Sequence, residues 1–230
     1  IKVEDNEKSI VTKGGADTLS QASVLELYDS NRLRKPMVDG KAVSWNDFDA
    51  NLKAKLDGMK GSEFVIVTPT LHSPSTLALI ADLKKHFGNV KHVAYDAVSN
   101  AAMAKANKVT HGVMASTETL IHKADVVVSF SHDFLKSTSS AKQWSTRRDL
   151  VDGNTMIRHI HVEAGMSMTG SNADERHTVA LAGQMDTLLG VLANLGGATH
   201  AVKAENRALA EKLTKVLKAN KGKSLVLCGH

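Results

Sequence analysis

Short apolar runs alternate along the chain with amphipathic stretches, and this alternation predicts the fold. The apolar runs have strand length and are rich in β-branched residues, as expected for strands covered on both faces; they lie at 63–69, 89–96, 125–130, 155–163 and 224–229. Stretches with helical periodicity separate them. The chain is therefore predicted to be α/β, with a doubly wound, mainly parallel, Rossmann-like sheet.

Capping signals place several of the helices. Ser44 is an N-cap ahead of Phe48, Leu52 and Leu56, which repeat at helical spacing. Ser73 caps the next helix, with Pro74 in its first turn and Gly88 at its end. Other helical segments are predicted within 19–37, 97–112, 136–153, 183–197 and 203–222.

The domain prediction follows from the same pattern. Residues 1–20 are polar and are predicted to form an exposed lead-in, followed by one α/β region over 21–230, undivided or in two subdomains. The sequence begins without Met and stops inside a predicted strand. We therefore expect a fragment of a longer polypeptide.

Composition narrows the classes of function. Cys228 is the single cysteine, which argues against a cysteine-ligated iron–sulfur cluster or four-cysteine zinc site within this span. The net charge of +5 comes from dispersed lysines without interleaved aromatics, so no nucleic-acid partner is expected. No apolar run approaches the roughly 18 residues of a membrane span.

Polar residues follow four of the predicted strands, where open parallel sheets bind ligands. The loops contribute Thr68, Thr70, His72 and Ser73; Asp96, Ser99 and Asn100; Ser129, Ser131, His132 and Asp133; and residues 166–174. None contains GxGxxG or GxxxxGK[ST], which disfavours a nicotinamide dinucleotide.

Several groupings have two interpretations. His159, His161 and Glu163 share one strand face and suit a metal, although their apolar neighbours favour partly buried, hydrogen-bonded histidines. Residues 131–133 have the types of a hydrolytic triad, but sequence neighbours cannot all converge on one centre. Residues 174–177 indicate a surface ion cluster rather than an acid–base site. The apolar run around Cys228 predicts a buried, unreactive thiol.

Three segments resemble the molybdopterin oxidoreductases in the right order. They are "LYDSNRLRKPM" with "SWNDFDANLKAKL", then "KADVVVSFSHDFL", and then "MIRHIHVEAGMSMTGSNADERHTVALAGQMDTLLGVL". Within that family, "QASVLELYDSNRL", "SFSHDFL" and above all "MSMTGSNADERHTV" are most similar to the large iron–sulfur subunit of alternative complex III, the bacterial quinol:cytochrome c oxidoreductase.

The departures from cofactor-bearing members concern the cofactor site. The connection that carries the metal ligand has no thiol, and Ser99 is its one candidate hydroxyl. Ser131 stands where those members have a glycine that lets a pyrophosphate approach the backbone. Their Pro-Gly-Thr-Asp helix start is reduced to Gly183 and Asp186. The loop "GMSMTGSNADER" fills the place of the dinucleotide arm. Its Ser167, Thr169, Ser171 and Asn172 side chains can bond local backbone.

The resemblance implies a cofactor-free, non-catalytic scaffold, without metal ligands, in a respiratory complex. Its residues Ser131, Thr169, Ser171, Asn172, Asp174, Gly183 and Asp186 would be vestiges of a cofactor site. Iron–sulfur clusters would lie elsewhere in the parent chain, with other complex subunits as partners, at the periplasmic face of the inner membrane. One alternative is an active molybdopterin-dependent oxidoreductase domain that binds a molybdopterin dinucleotide in the same loop. A small-molecule binder that uses the polar cleft is the other.

Overall fold

The computed structural model describes residues 1–10, 12–150 and 155–229. They form two units, a larger one made of residues 1–29 and 118–230 and a smaller one made of residues 30–117. The last part of the helix predicted over 136–153 lies outside the described residues. Among the described helices, none is both long and apolar enough to cross a bilayer.

The smaller unit holds a hairpin, a two-stranded parallel sheet and three helices. Its elements are β1 (Met37–Val38), β2 (Lys41–Ala42), α2 (Trp45–Gly58), β3 (Phe64–Thr68), α3 (Pro74–Phe87), β4 (Val90–Ala94) and α4 (Ala101–His111). Strands β3 and β4 pair in parallel, and α3 begins and ends where Ser73, Pro74 and Gly88 predict. Phe64 packs edge-on against Phe87 with ring centroids 5.5 Å apart.

The larger unit contains the main sheet. Its helices and strands are α1 (Thr18–Ala22), β5 (Val126–Phe130), α5 (Thr138–Thr146), β6 (Arg158–Glu163), α6 (Met168–Ser171), β7 (Glu175–Thr178), α7 (Leu181–Asn194), α8 (Ala204–Ala219) and β8 (Ser224–Cys228). Short 3₁₀ turns occupy Ser23–Tyr28, Ile121–Lys123 and Phe134–Lys136. The strands are all parallel and lie in the order β7-β6-β5-β8.

Both faces of this sheet are covered, as a doubly wound fold requires. On one face, β5 and β6 pack against α7 and α8; the buried side chains are Val126, Val128, Phe130, Ile160, Val162, Val191, Ala210, Leu213, Val216 and Leu217. On the other face, Val127 and Leu227 pack against Phe134 and Leu135, with Trp144 of α5 at the margin. The chain thus has the predicted α/β, doubly wound, mainly parallel architecture.

The five strands predicted from apolar runs are confirmed, but they do not share one sheet. The first two form the sheet of the smaller unit and the other three belong to the larger one. The loops that follow them therefore do not line a single sheet edge, as the predicted cleft required. Strand β7 was not predicted, because its sequence Glu-Arg-His-Thr lacks apolar alternation.

The lead-in is partly packed. Described residues among 1–20 are mostly exposed, yet Gly15 is buried, and a Cβ added there would lie 2.7 Å from Lys142 Cβ of α5. Asp17 accepts hydrogen bonds from Ser20 N at 2.6 Å and from Thr138 Oγ1 at 2.9 Å. The second half of the lead-in is thereby fastened to α5.

Shortening a core side chain should destabilise the larger unit more than shortening an exposed one. Leu213 is fully buried between α8 and the sheet, so Leu213→Ala is expected to lower the free energy of unfolding by about 2–5 kcal/mol. Leu192→Ala, at a leucine that is 50% exposed, should cost under about 1 kcal/mol. Urea titration of both variants measures the difference. Equal losses would contradict the core assignment.

Candidate functional site

The site to examine is the crevice where the strand order of the larger sheet reverses. From β5 the chain steps to β6 and β7 on one side, and it returns to β8 on the other side. In open parallel sheets, ligands bind at such a point, beyond the carboxyl ends of the strands. Here the crevice lies beside β5, β8 and the start of α7, with a volume of about 250 Å³.

Ser131 and Gly229 fill the floor of this crevice with protein. Ser131 has φ of +46°, the left-handed region that favours glycine. Its Oγ donates to Gln184 Oε1 at 2.7 Å, and Gln184 Nε2 donates to Val179 O at 2.8 Å. A Cβ added at Gly229 would overlap Ser131 O, so the two backbones are in direct contact. The Ser131 hydroxyl is thus committed to an internal partner.

The walls of the crevice are apolar. Its lining is Phe130, Ser131, Leu181, Gln184, Met185, Leu188, Cys228 and Gly229, and none of these side chains carries a positive charge. A diphosphate needs cations or converging backbone N–H groups. Leu181 and Met185 instead occupy the first turns of α7 at the mouth of the crevice. The lining side chains therefore supply no cation for the pyrophosphate of a molybdopterin dinucleotide, although the first turn of α7 presents backbone N–H groups beside the crevice.

Gly183 and Asp186 serve the packing of α7 and are not among the residues that line the crevice. A Cβ at Gly183 would lie 2.8 Å from Val179 Cγ1 and 3.2 Å from Asn206 Oδ1. Asp186 accepts hydrogen bonds from Asn206 Nδ2 at 2.8 Å and Lys203 N at 3.1 Å, and contacts His200 Nε2 at 2.8 Å. Hydrogen bonds from Asn206 and then His200 lower the pKa of this carboxyl. It links α7 to the start of α8.

The polar loop after β6 is also internally bonded. Ser171 Oγ and Asn172 Nδ2 each donate to Met168 O at 2.8 Å, and Ser167 Oγ accepts from Gly170 N at 2.9 Å. For these three side chains, the predicted bonding to local backbone is confirmed.

Thr169 reaches further than predicted. Its buried Oγ1 donates to Asp133 Oδ1 at 2.7 Å and accepts from Leu135 N at 3.1 Å. It therefore joins the loop after β6 to the loop after β5. Asp133 and Ser131 have separate partners, which agrees with the prediction that residues 131–133 form no triad.

The predicted ion cluster at residues 174–177 is confirmed. Asp174 Oδ2 accepts from Arg148 Nη2 and from His159 N, both at 2.7 Å. Lys212 and Arg158 both bind Glu175, and their hydrogen bonds lower its pKa to about 2. The cluster fixes strand β7 at the sheet edge.

His159 and His161 are hydrogen-bonded as predicted and are buried more completely than predicted. They belong to a row of hydrogen bonds that the sequence did not reveal. Both rings and Ser129 are fully buried, and Glu163 is 3% exposed. Ser129 Oγ lies 2.8 Å from His159 Nε2 and 2.5 Å from His161 Nδ1, and His161 Nε2 lies 3.1 Å from Glu163 Oε2. Ser129 of β5 links the two histidines of β6. The spacing of residues within one strand cannot reveal a partner on the neighbouring strand.

Because Glu163 is ionised, the hydrogen bonds among Glu163, His161, Ser129 and His159 can each run in only one donor-to-acceptor direction. Burial alone would raise the Glu163 pKa, but hydrogen bonds from Arg176 and Ser167 outweigh it and lower the pKa to about 2. An ionised carboxylate only accepts, so His161 Nε2 donates to it and His161 Nδ1 accepts from Ser129. Ser129 then accepts from His159 Nε2. His159 Nδ1 has no partner among the described residues.

The histidine and carboxylate group holds no metal-binding arrangement. No cluster of three or more His, Cys, Asp or Glu side chains within 1–10, 12–150 and 155–229 has the geometry to hold an ion. The prediction that Cys228 is buried is wrong, because its side chain is exposed where β8 forms the edge of the sheet.

In the smaller unit, the structure does collect the predicted polar residues of β3 and β4. Thr70, His72, Asp96, Ser99 and Asn100 line a cavity of about 320 Å³. Asp96 Oδ1 accepts from Thr70 N at 2.8 Å, and Ser99 Oγ accepts from Ala101 N at 3.1 Å. Ser99, the candidate hydroxyl ligand, thus bonds the first turn of α4. Thr68 and Ser73 have other roles, with His92 and the α3 cap respectively.

The buried histidines should make the larger unit sensitive to mild acid. Burial and then the His161 charge lower the His159 pKa from 6.5 to about 4. Below pH 6.5, His159 therefore binds a proton in the unfolded state but not in the folded state, so the free energy of unfolding falls as pH decreases. About 2 kcal/mol should be lost between pH 7 and pH 5.

Urea unfolding at pH 7, 6 and 5 measures this loss. The carboxyl groups with lowered pKa act mainly below pH 5, because their unfolded values lie near 4.5. His159→Gln should therefore reduce the slope across this window even if it lowers stability at pH 7. A smaller slope should remain, because burial also lowers the pKa values of His161 and His177. An unchanged slope in the variant would contradict the assignment.

Gly170 should tolerate no side chain. A Cβ there would lie within van der Waals overlap of Glu163 Oε1, whose carboxylate is fixed by Arg176 and Ser167. Gly170→Ala is expected to cost about 1–3 kcal/mol in unfolding free energy. Gly165→Ala is the matched control, since nothing lies within 4 Å of its added Cβ. Equal effects in urea titration would show that the carboxylate is free to move.

Comparison with known proteins informs the fold alone. No family model and no curated protein matches the sequence. Among solved structures, the chain is similar to acetylene hydratase from Pelobacter acetylenicus, with a TM-score of 0.51 and 13% identity over 94% of this chain. The chain spans 31% of the length of that protein. This likeness shows that the chain shares the fold of part of acetylene hydratase.

Proposed function

We propose that this chain is a cofactor-free, molybdopterin oxidoreductase-like scaffold in the iron–sulfur subunit of a quinol:cytochrome c oxidoreductase of the alternative complex III type. Its role is to hold the cluster-bearing part of the parent chain in place and to contact other subunits at the periplasmic face of the membrane. Electrons pass through iron–sulfur clusters outside residues 1–230, and no residue of this span performs chemistry.

The observation that carries the proposal is the state of the crevice at the strand-order reversal. Its floor is the contact between Ser131 and Gly229, and its mouth is formed by Leu181 and Met185. Buried polar groups that lose a ligand cost about 1–3 kcal/mol each unless they find new partners. Ser131 and Thr169 both have protein partners. A dinucleotide in the crevice would have to displace the Ser131–Gln184 bond and place phosphates against apolar side chains.

The assignment to this oxidoreductase type rests on the sequence. The segment "MSMTGSNADERHTV" forms the loop after β6, α6 and β7, so the resemblance coincides with an internally bonded part of the fold. The fold shared with acetylene hydratase is compatible with this assignment and does not extend to its activity.

Metal and pterin analysis of the full-length protein tests the proposal. The protein is purified from its native host, because dedicated machinery inserts the cofactor, and is assayed for molybdenum, tungsten and pterin released by oxidation. We expect less than about 0.1 equivalent of each, with iron and acid-labile sulfide present in stoichiometric amounts. A molybdopterin enzyme purified from the same cells is the positive control. Stoichiometric metal and pterin would overturn the proposal and favour an active oxidoreductase domain.

A further inference from the structure

The smaller unit contains a strand–helix–strand motif with a carboxylate at its end. Strands β3 and β4 run in parallel, helix α3 connects them, and Asp96 follows shortly after Ala94, the last residue of β4. In α/β proteins that bind nucleotides, an acidic residue at this place in the motif accepts a hydrogen bond from a ribose hydroxyl. The polar cavity of about 320 Å³ opens here. Asp96 therefore occupies a position in which a carboxylate can meet a sugar.

Thr70 holds the Asp96 carboxylate in place and leaves part of its acceptor capacity unused. Thr70 N donates to Asp96 Oδ1 at 2.8 Å, and Thr70 Oγ1 donates to Asp96 Oδ2 at 2.5 Å. The hydrogen bond from the Thr70 hydroxyl, followed by that from the Thr70 amide, lowers the Asp96 pKa. An ionised carboxylate has about four acceptor positions. Each oxygen can thus accept one further hydrogen bond, and two adjacent hydroxyl groups of a ligand can donate to the pair.

The rest of the cavity supplies both donors and acceptors. Ser99 Oγ accepts from Ala101 N at 3.1 Å, and the hydroxyl hydrogen of Ser99 is left to donate. Ser116 adds a second hydroxyl, and His72 adds an imidazole ring. The Asn100 side chain makes no capping hydrogen bond to α4, so N–H groups of the first helical turn can donate to ligand oxygens. A group that both donates and accepts, as a hydroxyl does, is the natural partner for this lining.

The charge of the lining favours a neutral ligand. None of the eight lining residues is Lys or Arg, and Asp96 is the one permanent charge among them. A phosphate would lie beside that negative charge without a cation to offset it. A metal ion is not supported either, because the described part of the chain has no suitably arranged group of three His, Cys, Asp or Glu side chains. Ala101 and Ala104 provide apolar contacts for the carbon atoms of a sugar ring.

We propose that this cavity binds a neutral sugar through two adjacent ring hydroxyl groups, both of which donate to the Asp96 carboxylate. Ser99, Ser116 and the first turn of α4 bind the remaining oxygens. The same pair of hydroxyls occurs in a free sugar and in the ribose of a nucleoside. None of the lining residues is Phe, Tyr or Trp, so a base would have no such ring to stack on, and a sugar without a base is expected. The site lies within the smaller unit and does not depend on the function proposed for the larger one.

A titration followed by backbone amide NMR signals tests the proposal. The isotope-labelled chain is titrated with the methyl glycosides of ribose, mannose and galactose, each of which has a fixed ring with adjacent hydroxyls. We expect a dissociation constant of about 1 mM for at least one of them, with the largest shifts at Thr70, Asp96 and Ala101. Methyl 2-deoxyriboside lacks the pair of ring hydroxyls and should bind at least about tenfold more weakly than methyl riboside if the riboside binds, because hydrogen bonds to a charged group are strong.

Three outcomes of the titration would overturn the proposal. The first is the absence of shifts at these residues with every glycoside at about 20 mM, well above the expected dissociation constant. The second is binding of inorganic phosphate at least as tight as that of the glycosides, which would assign the cavity to anions. The third is adenosine binding at least about tenfold tighter than any glycoside, with 2′-deoxyadenosine weaker, which would assign the cavity to nucleosides.

Three variants locate the ligand within the cavity. Asp96→Asn should raise the dissociation constant at least about tenfold, because the amide has one acceptor oxygen and no charge. Asp82→Asn removes an exposed carboxylate of α3 outside the cavity and should change it less than about twofold. Ala101→Leu fills the cavity from an exposed helical position that suits leucine, and should weaken binding at least about tenfold with Asp96 intact. Unchanged affinity in Asp96→Asn or in Ala101→Leu, with the dispersed spectrum of a folded chain, would overturn the proposal.

Discussion

The larger unit depends on one buried carboxylate at the end of β6. An ionised Glu163 is stable there only because Arg176, the Ser167 amide and His161 all donate to it. Each donor fixes a different element: Arg176 sets the register of β7, Ser167 starts α6, and His161 orients the imidazole chain within the sheet. Gly170 has no side chain because the carboxylate occupies the space that one would need.

This arrangement explains why the strand ends of the larger sheet are closed rather than open. In a ligand-binding parallel sheet, loop polar groups face the ligand; here they face one another. Thr169 binds Asp133 and Ser131 binds Gln184, whereas Asp174 and Arg148 pair at the opposite, amino end of the strands. The loops are cross-linked by short contacts between neighbouring strand ends, and the rigidity that results is what a scaffold needs. The polar cavity of the smaller unit is a separate feature, built on a sheet with little core of its own.

Much of the fold could be predicted from the sequence, because it follows from local rules. Apolar β-branched runs gave the strands, and Ser73, Pro74 and Gly88 delimited α3 to the residue. Strand β7 was missed because its polar residues are held by partners distant in sequence, such as Lys212. The division into two sheets could not be predicted either, since strand pairing is a long-range property. Ser129 gave no signal, because a buried serine within an apolar strand usually has no special role. The exposure of Cys228 depends on what lies beside β8, which composition alone does not report.

The Ser129 hydroxyl has a single proton, and this couples the two histidines beside it. If a proton binds His161 Nδ1, that nitrogen donates to Ser129 Oγ, and the Ser129 hydrogen keeps a partner only by turning to His159 Nε2. His159 can accept only by moving its own hydrogen to Nδ1, the nitrogen without a partner. One protonation event would thus exchange the tautomer of a second ring 5.7 Å away. The hydrogen bonds through Ser129 thus have two arrangements, which differ in the positions of hydrogens and not of heavy atoms.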